Sequence, residues 1–399
     1  MINSVQCVKE EHMCCGCGIC EGVCPKQAIH MEISGNGRTE PVITRDCVSC
    51  GACLRTCPQQ ELIAEKEDYF GKYICCQLVR SKDDTLLQNS TSGGFVTTLI
   101  RALLEQQVYS CAFLTDAYAY DKVVQTRQIR SAQDLTATQK SRYVQIGHGD
   151  EIRYILGHRE EKVILVGTPC YFRGFLKVVE GYHLNRENYL LIGLFCDKTM
   201  TMHIWEYFDH VFAGEQLGQL EFRVKQKNGW PGDVRLLLKD GTEQWLPRRE
   251  RMAVKDYFMP ESCLYCPDKL NADADFSVGD DYVSEKKDGR GRNTVIVRTE
   301  RAEVLWNRFA ELFDVETCGK EQIAESQHLK KRRQNADYAA QKQSGKPGGE
   351  YRRKLRKINM GEKREYRQIH REVLKSRKMG FRVTRKMISG CKRLLRLEK

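Results

Sequence analysis

No apolar run in this sequence reaches the ~18 residues that a membrane-spanning helix needs. The longest buried-looking stretch, Tyr189-Leu-Leu-Ile-Gly-Leu-Phe-Cys196, has the length of a strand. A charged-then-apolar N-terminal signal is also missing, so export is not expected and a cytoplasmic setting is. In a reducing cytosol the 19 Cys should stay thiols, and metal binding then outranks disulfides. Three further absences narrow the chemistry. There is no G-x-G-x-x-G, so the nicotinamide-type Rossmann fingerprint is lacking, and neither a Ser-His-Asp nor an H-E-x-x-H arrangement is indicated. His148, His158 and His183 are scattered singly, which fits surface or core roles better than catalysis.

At ~150 residues per domain, 399 residues make two or three domains with ample length for a core, which excludes a small disulfide-stapled scaffold. The net charge of +12 is unevenly placed. Residues 328–399 hold 25 Lys and Arg against 6 Asp and Glu, a net of +19, which leaves 40 against 47, or −7, for residues 1–327. An acidic body carries a basic tail.

The composition divides the chain into residues 1–62, 69–327 and 328–399, with a charged linker at Glu61 to Asp68. The expected class is α+β: a small cysteine-rich module, a mixed α/β body with an antiparallel insertion, and a helical tail. In the body, helical periodicity follows Ser92-Gly93-Gly94, and strand-like runs occur at Val163 to Val166, Leu190 to Phe195 and Val295 to Val297. Hairpin signals lie between Glu221 and Leu246, around Asn228-Gly-Trp-Pro-Gly232 and Asp240-Gly241. The tail favours helix. Phe381, Thr384, Ile388, Cys391 and Leu395 share one helical face, but the apolar content is too low for an independent core.

The strongest signal is a repeat in the first block. Cys14-Cys-Gly-Cys17-Gly-Ile-Cys20-Glu-Gly-Val-Cys24-Pro25 recurs as Cys47-Val-Ser-Cys50-Gly-Ala-Cys53-Leu-Arg-Thr-Cys57-Pro58. Both match the C-x2-C-x2-C-x3-C-P spacing in which three thiolates hold one cubane and the fourth ligates the other. Cys14, Cys17, Cys20 and Cys57 would hold one 4Fe-4S cluster, and Cys47, Cys50, Cys53 and Cys24 the second, making a one-electron relay. Structural zinc is the alternative, but it normally uses two C-x2-C knuckles separated by a longer loop. Cys15 is off register and reads as a bystander, as do Cys7, Cys75, Cys76, Cys111, Cys318 and Cys391.

A second set is dispersed through the body: Cys170, Cys196, Cys263 and Cys266. Two of these follow predicted strands, where open α/β sheets place ligands. By spacing alone they could hold a third cluster, hold zinc, or be ordinary buried thiols. Ser92-Gly93-Gly94 opens a helix and could let an anion approach free N–H groups, although a plain helix cap is the simpler reading.

Six motifs in order, Ser90 to Gly94, Lys140 to Gln145, Val166 to Cys170, Leu194 to Cys196, Cys263 to Cys266 and Ala274 to Asp280, resemble the coenzyme F-420 hydrogenase/dehydrogenase beta-subunit family. The resemblance runs from about Tyr69 to Phe313, with the ferredoxin module in front. It implies a flavoprotein that binds FAD beside a body 4Fe-4S cluster on Cys170, Cys196, Cys263 and Cys266. By the same resemblance the flavin contacts would be Ser92, Gly93, Gly94, Lys140, Ser141, Tyr143, the Gly167-Thr168-Pro169 turn and Asp280.

The expected function is therefore an iron-sulfur flavoprotein oxidoreductase. Electrons would pass through the clusters to FAD and on to a small-molecule two-electron substrate such as coenzyme F-420, or the reverse, with a ferredoxin or oxidoreductase subunit as redox partner. The alternative is a non-catalytic ferredoxin-like subunit that docks to a partner oxidoreductase. The basic tail is expected either to dock on its own acidic body or to hold an anionic membrane surface or an acidic partner. Nucleic acid ranks last because no aromatic interleaving accompanies the charge. Deleting the tail is expected to spare cofactor content.

Overall fold

The computed structural model describes residues 3–60, 68–116, 122–284 and 288–378. The face of Phe381 to Leu395 lies outside the described residues, as does most of the charged linker.

Near the N-terminus, β1 (Ile29–Ile33) and β2 (Thr39–Ile43) form an antiparallel hairpin beside the two cysteine runs. The body strands follow: β3 (Cys75–Ser81), β4 (Cys111–Thr115), β5 (Val124–Ile129), β6 (Ile146–Gly147), β7 (Val163–Gly167) and β8 (Tyr189–Leu194). Next come β9 (Leu217–Val224), β10 (Asp233–Leu238) and β11 (Glu243–Leu246), then β12 (Phe276–Asp280), β13 (Asn293–Val297) and β14 (Phe313–Thr317). Nine strands make one sheet in the order β14-β3-β13-β12-β8-β7-β4-β5-β6. Its centre, β12-β8-β7-β4, is parallel, and antiparallel pairs flank it on both sides. The body is thus mixed α/β. The hairpin signals become the three-stranded antiparallel sheet β11-β10-β9.

Central strands covered on both faces read as continuous apolar runs, and β7 and β8 do. Val163, Leu165, Tyr189 and Leu191 point into one core, with Phe172 and Phe175 of the helix Pro169–Gly181. Ile164, Leu190 and Ile192 point into the other, with Phe95 and Leu99 of the helix Phe95–Glu105 and Trp306 of the helix Glu300–Phe309. The first core also takes in Val5, Val8, Ile19, Cys20 and Val23, so the ferredoxin module packs onto one face of the sheet.

The tail docks on the body. Tyr338, Tyr351 and Ile358 enter the first core, and Met360, Tyr366, Ile369 and Val373 enter a third core shared with Trp205, Tyr207 and Phe258. Ion pairs follow the opposite charges: Arg332 with Asp197, Lys342 with Glu261, Arg364 with Glu206 and Arg377 with Glu250. Among the described residues, no helix is long and apolar enough to cross a membrane.

Candidate functional site

The cysteine runs are wound by left-handed residues. Gly16 and Gly18 have φ of 73° and 72°, and the equivalent Ser49 and Gly51 have 54° and 74°. Each pair flanks the middle cysteine, Cys17 or Cys50, and curls the backbone so that three successive thiols face inward. Gly18 and Gly51 then start the matching one-turn helices Ile19–Gly22 and Ala52–Arg55. The sequence repeat is therefore a repeat of conformation.

Each run borders a cavity. One is lined by Cys14, Cys17, Cys20 and Cys57, together with Cys15, Ile19, Met31 and Pro58. The other is lined by Cys24, Cys47, Cys50 and Cys53 beside Pro25, Ile29 and Val48. In each cavity the fourth cysteine comes from the opposite run, the exchange that the spacing predicted. Backbone N–H groups approach the sulfurs, from Gly16 to Cys14 at 3.4 Å and from Ala28 to Cys24 at 3.3 Å. Burial pushes the Cys14 thiol up to about 12 and raises Cys20 and Cys57 as well. Bare thiolates are thus disfavoured there, and a positively charged iron core fits what the donor set requires.

The structure also gathers the dispersed body cysteines. Cys170 opens the helix Pro169–Gly181 directly after β7, and Cys196 lies just past β8. Cys263 and Cys266 sit in and after the turn Glu261–Leu264. Beyond the effect of burial, charge on Cys263, Cys170 and Cys266 each disfavours ionisation of Cys196, so the four thiols share one locale. Among the described residues, no three His, Cys, Asp or Glu side chains converge tightly enough for a single metal ion. A cubane differs in needing its thiolates spread around four irons.

Between the module cavity and this quartet stands Cys15, whose thiol is near enough to both Cys17 and Cys170 to influence their ionisation. The sequence reading set it aside as a packing residue, whereas its place is at the junction of two thiol groups. Nearby, Ser262 donates to the carbonyl of Cys14 at 3.1 Å, tying the body C-x2-C segment to the module.

The expected flavin contacts fall into two places. Gly94, at φ 79°, caps the helix Phe95–Glu105, and Phe95 N–H donates to Asn293 Oδ1 at 3.1 Å. Ser92 donates to the carbonyl of Arg292 at 2.5 Å rather than capping the helix. A Cβ on Gly93 would lie 2.5 Å from Val79 O and from Asn293 N, so close packing of the helix start against β3 and β13 requires glycine. Ser141 Oγ is 3.2 Å from Thr91 Oγ1, and Lys140 Nζ is 3.2 Å from Glu221. Asp280, at the end of β12, receives both Nη groups of Arg223 at 2.5 and 2.8 Å and Trp230 Nε1 at 3.4 Å. Tyr143 OH accepts from Arg223 at 3.3 Å, and the Arg251 guanidinium lies 4.1 Å over its ring. Burial opposes ionisation of Tyr143, but Arg223 and Arg251 more than offset this and hold its hydroxyl below the usual phenol range. Gly167-Thr168-Pro169 belongs by contact to the cysteine quartet. Thr168 Oγ1 is 3.3 Å from Cys170 Sγ, and Asn271 Nδ2 donates to Gly167 O at 2.9 Å.

Arg223, Lys225, Arg248 and Arg251 were missed by sequence reasoning. Lys225 donates to the carbonyls of Leu87, Ser92 and Arg290 at 2.6 to 3.0 Å, and burial lowers its pKa to about 8. The Nε atoms of Arg248 and Arg251 are buried without a partner among the described residues, which fits an anionic group such as the pyrophosphate of FAD. For Arg223 and Lys225 the available signal was their period-two spacing from Glu221, along β9 and just past its end.

With this geometry established, three family matches decide the identification. Residues 13–62 match "4Fe-4S dicluster domain". Residues 76–150 match the N-terminal domain of the "Coenzyme F420 hydrogenase/dehydrogenase" beta subunit, and residues 160–322 match the C-terminal domain of the same beta subunit. The chain joins both beta-subunit domains of the coenzyme F420 hydrogenase/dehydrogenase family to a 4Fe-4S dicluster domain. Curated relatives agree with this family assignment. A coenzyme F420-dependent sulfite reductase of Methanocaldococcus jannaschii is 25% identical over 75% of this chain, which spans 46% of that protein. A subunit of the F(420)H(2) dehydrogenase of Methanosarcina mazei is 24% identical over 74% of this chain and 82% of its own length. The beta subunit of the coenzyme F420 hydrogenase of Methanosarcina barkeri is 24% identical over 61% of this chain and 81% of its own. Among solved structures, a chain from the F420-reducing [NiFe] hydrogenase complex of Methanosarcina barkeri aligns with a TM-score of 0.53 at 18% identity, covering 70% of this chain and 94% of that one. The family's beta-subunit-like fold thus sits behind an iron-sulfur module suited to electron transfer.

Proposed function

We propose that the chain is an iron-sulfur flavoprotein oxidoreductase of three parts: a two-cluster module at 1–62, a flavin-binding body at 69–327 and a basic tail at 328–399. The observation that carries this reading is the succession of thiols, from the cavity at Cys24, Cys47, Cys50 and Cys53, through the cavity at Cys14, Cys17, Cys20 and Cys57, past Cys15 to Cys170, Cys196, Cys263 and Cys266. Its last group lies at the C-terminal ends of β7 and β8, where open parallel sheets hold ligands.

When bound, 4Fe-4S clusters exchange single electrons, and FAD stores two and passes a hydride to or from a two-electron partner such as coenzyme F420 or an unidentified metabolite. The residues supply placement. The two cysteine runs would hold two clusters and the body quartet a third. Arg248 and Arg251 would take the anionic part of FAD, with Ser92, Gly93, Gly94, Lys140, Ser141, Tyr143 and Asp280 around it and the Gly167-Thr168-Pro169 turn on the side of the quartet. In the second thiol group Cys20 and Cys57 are buried, and the four body cysteines are half-buried beside the module.

The test is anaerobic purification followed by iron analysis and reconstitution with FAD. Stoichiometric flavin and iron for three cubanes are expected. Iron without flavin after reconstitution overturns the flavoprotein reading. The relatives include proteins named as subunits, which favours a second reading in which this chain is the electron-transfer subunit of a larger oxidoreductase. Flavin-dependent reduction of a viologen or deazaflavin dye by the isolated chain is expected on the first reading, and activity found only with a co-purifying partner on the second.

A further inference from the structure

The segment matched to the C-terminal domain of the family's beta subunit ends at 322, and the tail begins just beyond it. Two side chains from its first turns nevertheless reach the body cysteines. Asn335 Nδ2 donates to the carbonyls of both Cys263 and Cys266, at 3.2 and 2.8 Å, and so spans the C-x2-C turn. Arg332, at the end of the short helix Leu329–Arg332, donates from Nη1 to the carbonyl of Asp197 at 2.8 Å, next to Cys196.

The Arg332 side chain is only 10% exposed, and its Nε–H is buried with no partner among the described residues. Burial disfavours its charge, but Cys266, Asp197, Cys196 and Cys263 outweigh that and hold the guanidinium above its ordinary range. The neighbouring cations are otherwise engaged: Lys198 with Asp256 at 2.6 Å, Lys255 with Asp197 at 2.9 Å, and Arg173 with the carbonyl of Pro58 at 3.0 Å. Arg332 does face a carboxylate, Asp197 at 3.5 Å, but Lys255 holds that carboxylate more closely at 2.9 Å, and a buried N–H left without an acceptor costs stability. A cubane held by four thiolates is an anion whose sulfurs accept hydrogen bonds.

We propose that Arg332 is a positioning residue of the body cysteine site, carried there by the tail as counter-ion and N–H donor to a bound 4Fe-4S cluster, so that the cluster's reduction potential is set from outside the family's matched fold. This rests on the reading that the quartet holds a cluster. Reduction of that cluster adds one electron, supplied by a module cluster that is oxidised by one, and no bond is made or broken. Arg332 stabilises the added negative charge, so losing it makes reduction harder.

The experiment is an EPR-monitored redox titration, with iron analysis, of the anaerobically reconstituted full chain as wild type, Arg332→Gln and Arg332→Lys. The body signal is identified as the one that Cys196→Ser removes. Arg332→Gln is expected to keep wild-type iron and move that midpoint to lower potential. Arg332→Lys keeps the charge but not the planar fork and should move it less, with the module signals unchanged in both. Full iron with an unmoved midpoint in Arg332→Gln overturns the proposal, as does loss of one cluster's iron in both variants, which would make the role structural. Wild-type iron for two clusters only, unaffected by Cys196→Ser, overturns it differently, because the underlying cluster reading has then failed.

Discussion

At the scale of single residues, the Arg223–Asp280 pair shows how little of a buried polar site can be read one residue at a time. Asp280 was legible from its motif, but its partner was not. Arg223 lies in a hairpin whose charged residues look solvent-facing, yet the residue is only 6% exposed. Removing one member of such a pair strands the other charge. Asp280→Ala is expected to destabilise the protein by about 3–5 kcal/mol, measured by urea unfolding. The pair also sets an acid limit. Burial alone would raise the Asp280 carboxyl, but Arg223 depresses it below the usual range. Its stabilisation is therefore complete above the unfolded carboxylate value near ~4 and is lost as pH falls through the lower folded value. Unfolding measured from pH 5 downward should show a shallower acid dependence in Asp280→Ala than in wild type. Cys15 makes the complementary case. Both module cavities have their four cysteines without it, so Cys15→Ala is expected to retain wild-type iron, and loss of one cluster's iron would make it a ligand.

At the scale of elements, legibility followed local periodicity. The strand at Val163 to Val166 and the helix after Gly94 were readable because burial on two faces, or on one helical stripe, writes itself into adjacent residues. The exchange of the fourth cysteine between runs was readable because spacing limits which thiols can reach one cubane. The gathering of Cys170, Cys196, Cys263 and Cys266 was not readable from spacing, since it depends on the order in which β7, β8 and β12 pair. Within the runs the glycines carry the conformation. A Cβ at Gly18 would meet His148 N at 3.0 Å, on a backbone with φ of 72°. Gly18→Ala therefore combines a left-handed penalty of ~1–2 kcal/mol with a backbone contact that cannot swing away. It is expected to reduce the iron held at Cys14, Cys17, Cys20 and Cys57 while sparing the other module site, as read from iron content and from the two sets of EPR signals.

At the scale of the whole molecule, the tail shares its cores with the body. Its apolar content is too low for a core of its own, and the partners of its apolar residues lie in the body. That packing opposes the sequence expectation that deleting the tail spares cofactor content. Tyr351 packs against Tyr265, whose hydroxyl is 2.6 Å from that of Tyr351, and Tyr366 sits among Tyr207 and Phe258. Fully burying such side chains is worth roughly 1.5–3 kcal/mol each. Truncation after Gln327 uncovers both cores and removes Arg332 and Asn335 from the cysteine quartet. The shortened chain is expected to melt at lower temperature and to lose the iron of the body site while keeping that of the module, whose cavities are lined from residues 3–58. Iron content and thermal melting of the full and truncated chains decide between this and the sequence expectation. Undiminished iron in the truncated protein would return the tail to the role of an appendage held by charge alone, and raised salt should then detach it, since exposed ion pairs weaken by screening whereas buried apolar contacts do not.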